Sequence, residues 1–211
     1  MFRCVFTRWG LPDRVRVDNG YPWGTPRDLP SELALWLIGL GVEPIWIPPA
    51  CPTCNPKVER SNGLTQQWGE VHTCADCAQA ARVLAWVCRI QREEYPALRG
   101  RTRAEVFPQL STPRRVYRPT REAKLWDLAR VDSFLDRGCW RRQADVNGVI
   151  SLYGHGRSIG RAWAGQELVV RFDATDRAWL VSAPGGELIK RLPARELTRE
   201  RILALAVSRR R

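Results

Sequence analysis

Lysine, histidine and methionine are scarce in this 211-residue chain. It has three lysines, two histidines (His72 and His155) and one methionine. Two histidines far apart in sequence do not form the grouped imidazoles that a histidine-based nucleophilic site or a zinc hydrolase requires. The composition therefore excludes the commonest histidine-dependent hydrolases.

Long apolar runs and targeting signals are also missing. No segment is apolar over the length of a membrane span, and Arg3 and Arg8 interrupt the first ten residues, where a signal peptide would have its apolar region. The sequence contains no glycine-rich nucleotide loop, internal repeat or low-complexity tract. We therefore expect a cytoplasmic, intracellular protein with no membrane partner.

Acidic residues are few compared with arginine. The chain has 34 Lys plus Arg against 22 Asp plus Glu, which gives a net charge of +12 and a pI of about 10.1. Residues 110–211 carry 21 basic and 11 acidic residues, whereas residues 1–109 carry 13 and 11. This asymmetry indicates a nucleic-acid partner whose phosphates are bound mainly by the second half. The alternative is an arginine-rich composition that decorates solvated surfaces.

Two carboxylates stand in informative local sequences. In the segment 14–20, alternating valines predict a short strand and Asn-Gly predicts a turn, which places Asp18 at the carboxyl end of the strand. Glu59 follows a proline-rich loop, in the first turn of a helix predicted over 57–71. Carboxylate oxygens are the ligands that Mg²⁺ and Mn²⁺ prefer, so this pair is a candidate site for a divalent metal that acts on phosphodiesters.

The surrounding motifs resemble the catalytic core of the retroviral-integrase-like DDE transposases. The resemblance covers about residues 1–110, and its motifs are Gly10-Leu11-Pro12, Asp18-Asn19-Gly20, residues 55–63, residues 92–96 and residues 100–108. It implies a ribonuclease-H-like fold and polynucleotidyl transfer with Mg²⁺ or Mn²⁺. Its implied partners are transposon ends and target DNA, and its implied state is a homo-oligomer. Residue by residue, Asp18 and Glu59 carry over as metal-binding catalytic acids.

One departure limits this expectation. The family uses three carboxylates, and the first lies on an opening strand upstream of the Asp-Asn-Gly turn, whereas this sequence begins with the helix that precedes that turn. Asp13 lies too close to Asp18 to replace the missing acid. Because catalytic carboxylates act as a unit, we expect the polypeptide to be inactive by itself. The alternatives are a remnant gene and a coding sequence that starts further upstream.

The predicted helix after the proline loop carries a polar stripe. Glu59, Asn62, Gly63 and Gln66 recur at the spacing of one helix face. In the family that stripe lines the DNA substrate, so Asn62 and Gln66 are candidate DNA-binding residues and Gly63 would permit close approach of a strand. Lys57 and Arg60 are candidate phosphate-binding residues nearby. The simpler alternative is an exposed polar helix face.

The second half of the sequence has a different pattern of predicted elements. Proline-spaced basic segments predict a linker over 111–137 that contains a short helix over 122–135. Five short strands separated by turns then predict a small closed β-barrel over 138–195, followed by a basic helix or tail over 196–211. The expected fold class is thus α/β, a partial ribonuclease-H-like core followed by a small all-β barrel.

The predicted barrel resembles the carboxyl-terminal module of Mu-type transposases and integrases, which contacts DNA. Its candidate phosphate-binding residues are Arg141, Arg142, Arg157, Arg161 and Arg171.

The cysteines support a different interpretation. Cys51 and Cys54 form one C-x-x-C pair and Cys74 and Cys77 another, a spacing typical of a four-cysteine zinc site. A single helix over 57–71 would separate the pairs by about 22 Å, so the zinc site requires a broken helix. Otherwise, seven cysteines in an intracellular protein predict buried thiols without disulfides.

Three functions therefore stay open from the sequence. The first is a DDE-type transposase or integrase polypeptide. The second is a DNA-binding module without catalysis, and the third is a zinc-stabilised interaction protein.

Overall fold

The computed structural model describes residues 2–25, 27–49, 51, 54 and 56–205, with the side chain of residue 110 left aside. Helices and strands are mixed, which is consistent with an α/β protein whose sheets are open. The helices are α1 (Phe2–Trp9), α2 (Glu32–Gly39), α3 (Pro56–Gly69), α4 (Cys77–Glu93), α5 (Arg103–Val106), α6 (Glu122–Leu125), α7 (Leu128–Asp136) and α8 (Arg199–Ala204). The strands are β1 (Arg14–Val17), β2 (Glu43–Trp46), β3 (Cys139–Gln143), β4 (Val149–Leu152), β5 (His155–Ser158), β6 (Glu167–Asp173), β7 (Ala178–Ser182) and β8 (Leu188–Pro193).

The chain forms two compact units. The first unit consists of Met1–Leu11 and Ile47–Arg118, and the second of Pro12–Trp46 and Pro119–Arg211. The sequence predicts one domain over 1–110, and that division stays a prediction. Within the second unit, the segment that carries β1, α2 and β2 packs with α7 and α8.

The first unit is mainly helical. Phe6 of α1 is buried and meets Tyr117 edge to face, with 5.8 Å between ring centroids. Gly10 has a positive φ of 79°, and a Cβ there would lie 2.7 Å from the Arg115 carbonyl oxygen, so only glycine fits this contact. The helix predicted over 57–71 is confirmed as α3, and the next long helix, α4, is capped by Asp76.

The second unit has a core centred on α2. Residues 34–39 are all buried, because this helix is apolar on every side. Ser31 caps α2, as its position before the apolar run suggests. The strand predicted before Asp18 is confirmed as β1, which pairs in parallel with β2 so that Val17 lies opposite Trp46.

The helix predicted over 122–135 is wrong as one element. It divides into α6 and α7, because Trp126 is extended and Asp127 caps α7 by accepting from the Ala129 N–H at 2.9 Å. The Trp126 ring is 3% exposed. Burial of this large ring against α2 overrides the local helix preference.

The C-terminal strands build an open sheet with the order β3-β6-β7-β8 and a separate β4-β5 hairpin. All five predicted strands are present, but the described strands do not close into the predicted barrel. Leu168, Val170 and Phe172 on β6 are buried, whereas alternate residues face outward, as in an antiparallel sheet with one covered face.

Strand β5 was missing from the prediction. Its sequence, His-Gly-Arg-Ser, lacks the β-branched and apolar residues that mark strands. The available signal was the Tyr153-Gly154 pair, whose φ angles of 50° and 81° fit the two-residue turn of a hairpin.

None of the helices in the described ranges is long and apolar enough to cross a membrane.

Candidate nucleic-acid interface

Helix α3 presents the predicted polar stripe to the solvent. Glu59, Asn62, Gly63 and Gln66 are all exposed, whereas the opposite side of the helix is half-buried or buried. Glu59 lies in the first turn, where the positive end of the helix dipole favours a carboxylate. Within the described residues this carboxylate has no ion-pair partner.

Two cations accompany the stripe. Lys57 and Arg60 are exposed in the first turns of α3, and neither forms an ion pair or a side-chain hydrogen bond with the described part of the chain. Cations that are not neutralised by neighbouring acids remain available to phosphates. Arg60 lies beside the polar stripe, whereas Lys57, four residues before Ser61, lies on the other side of α3.

Gly63 occupies an open position in the middle of α3. A Cβ built on Gly63 would meet nothing within 4 Å in the described structure. Glycine in a helix interior costs about 1 kcal/mol relative to alanine. Contacts inside the described molecule therefore do not account for this glycine, whereas close approach by another molecule would.

Asp18 directly follows β1 and is exposed. Its Oδ1 accepts a hydrogen bond from the Asn19 N–H at 2.7 Å, which shapes the turn at the carboxyl end of the strand. Asp18 belongs to the second compact unit and Glu59 to the first. The structure therefore does not establish the two acids as one site.

The donor set for a metal pair is incomplete among the described residues. They contain no group of three or more histidine, cysteine, aspartate or glutamate side chains that could hold a metal ion. A two-metal phosphodiester site needs several carboxylates to ligate both ions. The described residues do not fit such a site, and we derive no reaction step through a metal.

The predicted arginines of the second unit differ in their surroundings. Arg157 forms an ion pair with Glu196, whose side chain is 1% exposed. Arg141 pairs with Glu167 at 2.8 Å, and Arg142 donates to the Arg141 carbonyl at 2.8 Å. Arg161 and Arg171 are exposed and make no ion pair or side-chain hydrogen bond in the described part. DNA binding stays a prediction for all five.

A basic surface around β5 includes cations that the sequence did not indicate. We call Arg157, Lys190 and Arg201 the β5 basic cluster. Arg161 and Arg195 are exposed cations close to members of this cluster in sequence. The Lys190 ammonium donates to the Ser158 carbonyl at one end of β5, and the Arg201 Nη1 lies 2.9 Å from the His155 Nε2 at the other. Only the fold brings together cations that are up to 44 positions apart in sequence.

The acids near this cluster accept hydrogen bonds from other side chains of the protein. Glu196 accepts from the Trp179 indole at 2.7 Å, and Glu32 accepts from the Arg201 Nε at 2.9 Å. Burial, and then the nearby Glu196, raises the pKa of the Tyr153 phenol well above its usual value, so this hydroxyl stays neutral. Two cations of the cluster are therefore paired with acids, Arg157 with Glu196 and Arg201 with Glu32, and Lys190 donates to a backbone carbonyl.

The cysteine pairs do not meet the requirement of a zinc site. Cys51 and Cys54 are joined by a disulfide, with a Cα–Cα distance of 5.5 Å, whereas Cys74 and Cys77 are free thiols. The expectation of no disulfides is therefore wrong for this pair. A disulfide has no thiolates to offer, so it cannot supply two of the four zinc ligands that the spacing suggested.

A groove of about 900 Å³ lies within the second unit. Trp46, Phe134 and Trp140 form its apolar lining, and none of the residues predicted for catalysis or DNA binding lines it. Its lining cations are Arg130 and Arg137, and Arg130 donates to the Gly39 carbonyl at 3.1 Å. The groove therefore adds nothing to the candidate interface.

A comparison with protein-family models finds none that matches this chain.

Proposed function

We propose that the chain is a DNA-binding polypeptide of the DDE transposase type. The observation that carries the proposal is the exposed face of α3, where Glu59, Asn62, Gly63 and Gln66 are aligned. The sequence motifs around Asp18 and Glu59 supply the family, and the parallel pair β1-β2 with its intervening helix is compatible with part of a ribonuclease-H-like core. The C-terminal strands would represent an open relative of the family's small barrel.

The residues of α3 would make different kinds of contact with DNA. Lys57 and Arg60 would neutralise phosphates, since both are exposed and unpaired within the described chain. The amides of Asn62 and Gln66 can donate to and accept from the sugar-phosphate backbone or base edges. Gly63 would let the DNA backbone approach the helix axis closely.

The chemistry of the family is attack by water or a DNA 3′-hydroxyl on a phosphodiester. The resemblance assigns Asp18 and Glu59 the role of metal-binding catalytic acids. Because the described residues do not fit a metal pair, the proposal is limited to binding of DNA. In a homo-oligomer, the partners would be transposon ends and target DNA.

A second candidate is a non-catalytic DNA-binding module. It is favoured by the β5 basic cluster, which places three cations around one strand. The zinc-stabilised alternative has less support, because it requires four thiolates and Cys51 and Cys54 form a disulfide. The two DNA-binding candidates differ in which surface carries the phosphate contacts.

Salt-dependent DNA binding by charge-matched variants tests the proposal. Lys57→Gln with Arg60→Gln removes two cations from α3, and Arg82→Gln with Arg99→Gln removes two exposed, unpaired cations elsewhere in the first unit. We expect the α3 variant to lower the slope of log affinity against log salt by about 2, because each phosphate contact contributes about 0.9. Fluorescence anisotropy with labelled duplex DNA measures this slope.

The control defines the alternatives. Equal slopes for the two double variants would show that α3 contributes only general charge, and the proposed interface would then be wrong. If α3 has no effect and Lys190→Gln with Arg195→Gln reduces the slope instead, the second candidate is supported. If none of these variants loses affinity for DNA, neither surface is the DNA-binding interface.

A further inference from the structure

The buried side of α3 is held by a polar contact with α4. The Gln91 side-chain amide accepts from the Ser61 hydroxyl at 3.4 Å and donates to the Thr65 hydroxyl at 3.1 Å. Gln91 is 6% exposed, one of few buried polar residues in the described chain. An amide that both donates and accepts fixes two points on the facing helix, which an apolar side chain cannot do.

The contact between these helices at Gly69 is apolar. A Cβ on Gly69 would lie 3.5 Å from Val83 and 3.7 Å from Val87, and Val87 is fully buried. Apolar packing is non-directional, so it holds the helices together without selecting one rotation of α3 about its axis. The hydrogen bonds of Gln91 are directional, so they select one rotation of α3 about its axis.

Gln91 itself is anchored from its other side. The Arg103 guanidinium donates to the Gln91 backbone carbonyl. Arg103 begins α5, which is held by a capping box between Thr102 and Glu105. The Gln91 backbone is therefore tied to a second, separately capped helix.

We infer that Gln91 is a positioning residue that sets the rotation of α3 and so presents the Glu59, Asn62, Gly63 and Gln66 face to DNA. This inference rests on the proposed function. Neighbouring residues are separated by about 100° around a helix, so a modest rotation moves the polar face away from its partner. Ser61 and Thr65, four residues apart, lie on the side of α3 away from that face.

Hydroxyl-radical footprinting of the full chain tests this without DNA. Val58 and Leu64 are six residues apart, about 240° around the helix, and lie on opposite borders of its buried side. In Gln91→Leu, rotation of α3 should raise the labelling of one and lower that of the other. Val87→Ala loosens the same interface without removing a hydrogen bond, and it should change both in the same direction.

DNA binding supplies the functional readout. Gln91→Leu should weaken duplex binding about fivefold, the equivalent of one net hydrogen bond, whereas Val87→Ala should have a smaller effect at a similar loss of stability. If Gln91→Leu fails to fold, Thr65→Val with Ser61→Ala removes the same contacts with little change of shape. Labelling of Val58 and Leu64 that changes in the same direction, or not at all, overturns the inference.

The inference and the proposed function fail in different ways. Opposite labelling changes with unaltered DNA affinity would leave the control of helix orientation standing but overturn α3 as the DNA interface. If Gln91→Leu leaves the labelling unchanged while the α3 charge variants show that the wild-type protein binds DNA at α3, the role of Gln91 is overturned and the proposed interface stands.

Discussion

The Trp126 indole donates a hydrogen bond to the Trp36 carbonyl at 3.1 Å, and both side chains are buried. This contact depends on Gly39, because a Cβ there would lie 2.0 Å from the Trp126 Nε1. Gly39→Ala should therefore displace the indole and destabilise the protein by about 1–3 kcal/mol, as overpacking does. Urea denaturation followed by tryptophan fluorescence measures the change.

Gly63→Ala is the matched control for that substitution. It also places alanine in a helix, but nothing lies within 4 Å of the new Cβ. We expect it to stabilise the protein by about 0.5–1 kcal/mol. If both substitutions shift stability in the same direction, the effect of Gly39→Ala comes from helix propensity and not from contact with Trp126.

Arg157 stabilises the fold through a buried charge. Arg157→Ala would leave the Glu196 carboxylate, 1% exposed, without its cation, although the Trp179 indole still donates to it at 2.7 Å. Breaking such a pair costs roughly 3 kcal/mol. Adding Glu196→Gln should restore part of this loss, because the uncompensated charge is gone. A double variant no more stable than Arg157→Ala in urea denaturation would contradict the explanation.

Asp132 should make stability depend on pH. Burial raises the pKa of this carboxyl above its ordinary 3.8, although the Arg177 Nε donates to it at 2.9 Å. A raised pKa in the folded state favours folding at low pH, and this contribution is lost as pH rises through the raised folded pKa. The Asp132→Asn variant has no carboxyl at this position and does not undergo this loss of stability. The Tm of the variant minus the Tm of the wild type should therefore increase from pH 4 to pH 7.

Glu187→Gln serves as the control for the pH experiment. Glu187 is exposed and makes no ion pair among the described residues, so its Tm difference from wild type should change little with pH. If the Asp132→Asn difference instead decreases as pH rises, attraction to Arg177 outweighs burial and the prediction is wrong.

The cysteines can be counted chemically. Five of the seven are free thiols, and Cys51 and Cys54 are paired. Alkylation of the unfolded protein, purified without reductant, should add five groups, and prior reduction should raise this to seven. A four-cysteine zinc site would give seven in both cases once zinc is chelated, together with stoichiometric zinc.

The site was predictable where local sequence sufficed. The valine alternation before Asp18 predicted β1, and the helix expected after the proline loop corresponds to α3. Four-residue spacing placed Glu59 and Gly63 on one face of α3, because helical geometry is local. Exposure of that face followed only from the packing of α3 on Gln91 and Val87.

The sequence by itself determined most helices and strands, the sign of the charge and the motifs that suggest a DDE family, since these depend on neighbours along the chain. Tertiary structure alone decided the break at Trp126, the partner of Arg157 and the assembly of the β5 basic cluster. Residues distant in sequence meet there, and burial sets their energies. Local propensity carries no information about which distant groups will be buried together.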